Sequence, residues 1–105
     1  MPSEFNDLGR FTDVALLILL SLAGGEKHGY AMMEDIAQFS GVTFEAGTLY
    51  GALLRLERKG WITALPAEDR RHPYRLTAEG AIVLRQRLAT LRQIVATGDA
   101  RQALA

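Results

Sequence analysis

The sequence predicts a mainly α-helical fold that carries a small β-hairpin and ends in a long helix. Three observations predict it. Val14 to Leu22 is an apolar run without proline or glycine, followed by Gly24-Gly25. Gly47 to Gly60 has helical periodicity, with an apolar face and a polar one. Trp61 to Leu76 then reads as two short strand-like runs around a polar turn, after which leucines recur at heptad spacing. A chain of 105 residues with 49% hydrophobic residues is expected to form one core.

The charge is balanced overall, twelve Lys and Arg against twelve Asp and Glu, but it is unevenly spread. Residues 1–44 hold two cations against six carboxylates, and residues 45–75 hold six cations against four. The positive half is the one expected to meet an anionic partner. There is no cysteine, which excludes disulfides and thiolate metal sites. The N-terminus lacks a secretory pattern, and Val14 to Leu20 is too short to span a bilayer. A cytoplasmic protein without membrane association is the expectation.

Taken in order, Met1 to Arg10 reads as an arm. Thr12 is a candidate N-cap, with Asp13 in the first turn of a helix that is apolar nearly all round and buried on more than one side. Part of that helix could face a second subunit. Glu26-Lys27-His28 forms a turn, and Gly29 to Phe39 is a second helix. Its stripe is Ala31, Met32, Ile36 and Phe39, with Glu34, Asp35 and Gln38 toward solvent. His28-Gly29-Tyr30 is expected to set the entry of this helix and to turn Tyr30 inward.

In the third helix, Leu49, Ala52, Leu53 and Leu56 share one face at about 100° per residue. Gly47, Thr48, Gly51, Leu54, Arg55 and Arg58 share the other, which holds no acid. Tyr50 lies at the border. Gly60 reads as a left-handed cap after cations in the last turn. Alone, such a helix is as readily an ordinary solvated surface helix. The following hairpin, Trp61 to Leu65 paired with Tyr74 to Leu76, changes the reading, because its tip carries Arg70-Arg71-His72. A helix followed at once by a hairpin with a basic tip describes a winged helix-turn-helix, in which the helix reads a groove and the wing touches phosphate.

Thr77 is a candidate N-cap for the last helix, although Gly80 stands where a capping box wants Glu. That helix is expected to run to about Thr97, before Gly98. Its seam, Ala81, Leu84, Leu88, Leu91 and Val95, steps by three and four. Leu84, Leu88, Leu91 and Val95 are the expected dimer contacts. The domain division is therefore 1–76, a winged-helix unit with its arm at 1–10, and 77–105, a C-terminal dimerisation helix.

Other chemistry is poorly supplied. His28 and His72 are the two histidines, and neither has a carboxylate pair at ligand spacing, so no metal is expected. Ser3, Ser21 and Ser40 suggest no nucleophilic triad, and the glycines form no phosphate loop. Trp61 reads as core. No catalytic residue and no cofactor are expected. Double-stranded DNA is the expected partner, contacted by Thr48, Tyr50, Gly51, Arg55 and Arg58 from the helix and by Arg70 and Arg71 from the wing. Arg55 or Arg58 is the expected base reader, while Thr48 and Tyr50 suit phosphate. The rival reading is a winged-helix protein-interaction module, favoured by zero net charge and by an exposed Leu54.

His28-Gly29-Tyr30, Gly47-Thr48-Leu49-Tyr50, Leu53, Arg55-Leu56-Glu57, Gly60, Tyr74-Arg75-Leu76-Thr77 and Glu79-Gly80 together resemble the PadR family of bacterial transcription regulators. The resemblance spans about Val14 to Gly80. It implies a winged helix-turn-helix, a homodimer closed by one terminal helix in short members, and usually repression relieved by a small-molecule effector. The chain departs from the family pattern in two places. Glu45-Ala46 replaces the usual Ser-Pro, and Gly51 replaces the usual proline.

Overall fold

A computed structural model describes residues 13–104. Among the described residues there are four helices and two strands: α1 (Val14–Ala23), α2 (Gly29–Ser40), α3 (Ala46–Arg58), β1 (Ile62–Ala64), β2 (Tyr74–Leu76) and α4 (Ala78–Leu104). The arm at 1–10 and Thr12 lie outside these residues.

Helix α1 is the centre of the fold, touching α2, α3, α4 and β2. Its sequence is apolar all round because it has neighbours all round. The N-cap is Asp13, not Thr12: its carboxylate accepts from the Leu16 N–H at 3.1 Å. Leu17, Ile18, Leu19 and Leu22 join Met32 and Ile36 of α2, Leu49, Ala52, Leu53 and Leu56 of α3, Ile62 of β1 and Leu84 of α4 in a single core. The buried Ser21 hydroxyl donates to Asp35 Oδ2 at 2.7 Å, and Lys27 Nζ donates to the Ser21 carbonyl. Asp35 therefore ties α2 to α1 instead of facing open solvent.

Two aromatic residues of α2 differ from expectation. Tyr30 is 66% exposed and Phe39 47%. Tyr30 stands two residues before the buried Met32, about 200° round the helix, so it points away from the core. Phe39 falls in the last turn, beyond the buried pair Met32 and Ile36.

Helix α3 ends in a full Schellman closure. The Gly60 N–H donates to Glu57 O at 3.0 Å and the Trp61 N–H to Leu56 O at 3.1 Å, with Gly60 at φ +78°. The hairpin starts at once. Its strands are antiparallel, with Ile62 opposite Leu76 and Ala64 opposite Tyr74. The α1–α2 turn adds a third segment, since Lys27 and Tyr74 exchange two backbone hydrogen bonds of 3.3 and 3.1 Å. The wing is thereby anchored to the start of α2. At its tip, Glu68 and Arg71 exchange bonds of 2.7 and 2.9 Å around Asp69 (φ +50°) and Arg70 (φ +68°). Positive φ at both central residues is the geometry of a two-residue type I′ turn.

Thr77 caps α4 as expected, and it does more. Its Oγ1 accepts from the Gly80 N–H at 3.0 Å and donates to the Gly60 carbonyl at 2.6 Å. One hydroxyl thus links the end of α3 to the start of α4. Gly80 is not a vacant capping position. A Cβ there would lie 2.0 Å from the Trp61 carbonyl oxygen, so only glycine lets α4 approach the hairpin this closely.

Helix α4 continues through Gly98 to Leu104 rather than stopping near Thr97. A glycine ends a helix when it takes a left-handed conformation, and Gly98 does not. At 27 residues α4 is about 40 Å long. Leu84 is buried in its own chain's core and Leu88 packs partly against it, whereas Leu91 and Val95 are exposed.

Candidate nucleic-acid interface

The outer face of α3 is built as its period requires. Leu49, Ala52, Leu53 and Leu56 are buried, and Thr48, Tyr50, Leu54, Arg55 and Arg58 are exposed. Among the described residues neither arginine of this face is in an ion pair, and both lie toward the helix C-terminus. Glu45 caps the other end without a side-chain hydrogen bond. The N-terminal backbone N–H groups therefore lack the partner that serine would supply.

Two kinds of glycine occur here. A Cβ on Gly29 would meet the Tyr50 hydroxyl at 2.9 Å and Leu49 Cδ2 at 3.0 Å, so Gly29 lets the Tyr50 ring lie against the start of α2. Gly47 has open space around its missing Cβ. At Gly51 the nearest atom would be Arg55 Nη1 at 3.6 Å, an ordinary contact with the end of a flexible side chain. Neither has a positive φ. Helix α3 itself therefore gains nothing from Gly47 or Gly51.

A cleft of about 380 Å³ opens between the N-terminus of α2, the ring of Tyr50 and the wing. His28, Gly29, Tyr30, Tyr50, Arg70, Arg71, His72 and Tyr74 line it. The structure thus brings Tyr50 together with Arg70 and Arg71, three of the residues singled out above. Arg55, Arg58, Thr48 and Gly51 lie outside the cleft, along the open face of α3. His72 was part of the expected basic tip, whereas Tyr30 and Tyr74 were not expected as its neighbours. Tyr30 was expected to face inward.

The cleft's polar groups have distinct states. His72 Nδ1 lies 3.1 Å from the Leu65 carbonyl. His28 Nδ1 is buried and, among the described residues, has no hydrogen-bond partner. The Tyr74 hydroxyl has its pKa raised above 10.0, first by burial, then by the Glu57 carboxylate and Tyr50. Among the described residues no three His, Cys, Asp or Glu side chains cluster as a metal site would need.

Residues 18–86 match the transcriptional regulator PadR-like family. The chain belongs to that family. As a PadR-like protein it stands among transcription regulators, not enzymes. The match ends at Gln86, close to where α4 leaves the core. A PadR family transcription regulator from Clostridium difficile superposes with a TM-score of 0.76 at 27% identity, over 88% of this chain and 98% of that one. A PadR family regulator from Eggerthella lenta gives 0.69 at 30% identity, over 94% and 88%. A 37.1 kDa protein in transposon TN4556 of Streptomyces fradiae is 38% identical over 85 residues. These are 81% of this chain but only 25% of that protein. Among the described residues of this PadR-like chain, no helix is long and apolar enough to cross a membrane.

Proposed function

We propose that this PadR-like regulator binds double-stranded DNA as a homodimer and acts as a repressor at a palindromic operator. The observation that carries the proposal is the placement of the wing. Arg70 and Arg71 share one cleft with Tyr50, so the basic tip and the recognition helix address the same side of the molecule. Along that side α3 offers two arginines, a threonine and a glycine-lined strip, with Glu57 at its border toward Tyr74. Arg70 and Arg71 hold phosphate, as do Thr48 and Tyr50. Gly51 admits close approach of the helix backbone, and Arg55 or Arg58 reads guanine.

Residues 1–76 form the reading unit and 77–105 the pairing helix, with Leu84, Leu88, Leu91 and Val95 as its seam. The exposed Leu91 and Val95 support pairing through the distal half, since Leu84 is already buried in its own chain. A small-molecule effector releases the operator. The protein works in the cytoplasm. The second reading, a protein-interaction module, draws on Leu54, which is 49% exposed.

Selection of bound sequences from random duplex DNA by the purified protein tests the proposal. A near-palindrome with half-sites about one helical turn apart, or a multiple of it, is the expected result. Alanine at Arg55 or Arg58 should then weaken binding by about 1–3 kcal/mol and relax one operator position. Failure to enrich any sequence would favour the interaction module instead.

A further inference from the structure

Leu54 is the one large aliphatic side chain on the outer face of α3, about half exposed, one turn past the exposed Tyr50 and bordered by Gly51, Glu57 and Arg58. It lies three residues past Gly51 and seven past Gly47, so the three share one stripe along the helix. The two glycines leave the N-terminal part of that stripe without side chains. Leu54 is the first group to stand up from it. Arg55 folds back beside the stripe, with Nη1 at 3.6 Å from where a Gly51 Cβ would be. The surface is therefore a shallow step: bare backbone at Gly51, an isobutyl group at Leu54 and a guanidinium alongside.

We infer that this step takes the C5-methyl group of a thymine, next to a guanine read by Arg55. The inference rests on the DNA-reading proposed above. In the major groove, thymine is distinguished by its methyl group and its O4 acceptor, and guanine by O6 and N7. An apolar side chain beside an arginine matches a methyl beside those two acceptors. Leu54 and Arg55 point about 100° apart round the helix, on either side of the Gly51 strip, but Arg55 folds back over that strip. With only about 1.5 Å between them along the axis and about 3.4 Å between stacked bases, the two reach the same or neighbouring base pairs. A protein partner suits this step less well. Leu54 has only the Tyr50 ring as an exposed apolar neighbour on α3, one turn back, with Glu57 and Arg58 on its other side, whereas protein docking uses a larger contiguous apolar patch. Leu54 thus favours DNA over the interaction module and determines part of the operator sequence.

The test uses the full chain and the duplex selected from random DNA. Each thymine of that duplex is replaced in turn by deoxyuridine, which removes only the methyl. Native protein should lose about fourfold in affinity at one position in each half-site, as expected for one buried methyl-sized group. The adjacent base pair should be a G·C pair whose guanine preference is lost in Arg55→Ala. Leu54→Ala should bind uracil and thymine alike at that position, while Leu54→Met keeps the preference. Thermal melting of both variants checks that they fold, and the deoxyuridine series with native protein needs no variant. Affinities within about twofold for every deoxyuridine duplex would overturn the inference while leaving DNA binding intact. So would a Leu54→Ala protein that keeps the full thymine preference. If no sequence is enriched at all, the DNA-reading itself fails and this inference falls with it.

Discussion

Gly51→Ala should make the protein more stable and a poorer DNA binder at the same time. Gly51 lies inside α3, where glycine is about 0.8–1.0 kcal/mol less favourable than alanine. The new methyl would meet only Arg55 Nη1, at 3.6 Å, so no strain offsets the gain. About 1 kcal/mol raises the melting temperature of a domain of roughly this size by about 4–8 °C. Thermal unfolding followed by circular dichroism, at matched protein concentration, reads that shift. On DNA the sign reverses. A methyl pushed into a close backbone contact carries an overpacking penalty of about 1–3 kcal/mol. Fluorescence anisotropy with the selected operator should therefore show about fivefold weaker binding or worse. A lower melting temperature would refute the claim that α3 has no use of its own for this glycine. Unchanged operator affinity would refute the close approach.

Gly80→Ala should do the opposite, destabilising the fold by about 3 kcal/mol or more in a denaturant titration, because its methyl would sit 2.0 Å from the Trp61 carbonyl oxygen. Arg70→Ala with Arg71→Ala should weaken binding to all sequences alike and flatten the slope of log affinity against log salt by up to about two charges; a lost base preference with an unchanged slope would assign the wing to readout. Tyr74 has a raised pKa, so its contribution to stability is full below pH 10.0 and falls as pH rises from there through the folded-state value. Urea titrations across that range should show a steeper alkaline loss for native protein than for Tyr74→Phe. Leu91→Glu, at an exposed seam position outside the core, should give a folded monomer by analytical ultracentrifugation, and a variant that stays dimeric would reject the seam.

The parts of this structure legible in the sequence are those governed by local periodicity and caps. The core face of α3 could be read because Leu49, Ala52, Leu53 and Leu56 recur at the helical period and all are buried. Thr77 could be read as a cap from its place after a strand. Other features depend on long-range closure. Nothing local to Lys27 announces that it pairs with Tyr74, yet that pairing brings the wing to the start of α2 and forms the cleft. Asp69-Arg70 at the wing tip hides a type I′ turn, because those residues take positive φ without glycine. The extent of α4 is not legible either, because Gly98 stays within the helix with no positive φ rather than ending it.

The proposed boundary between residues 76 and 77 is not a hinge. Thr77 holds the Gly60 carbonyl and the Gly80 N–H with one hydroxyl. Gly80 presses α4 onto the Trp61 carbonyl, and the Thr77 N–H donates to that same carbonyl at 3.1 Å. Four residues later Leu84 enters the core where α4 packs on α1. The direction in which α4 leaves the domain is thus fixed against the C-terminal cap of α3, with no flexible segment between them. Loosening a linker could not reorient the exposed stripe at Leu91 and Val95 relative to the face carrying Arg55 and Arg58. In the proposed homodimer, a change in the crossing of two α4 helices would move both α3 helices as rigid attachments. Displacement at the distal seam would then become a change in the spacing of the two α3 faces. A ligand bound at that seam would thereby alter the proposed operator fit without touching α3.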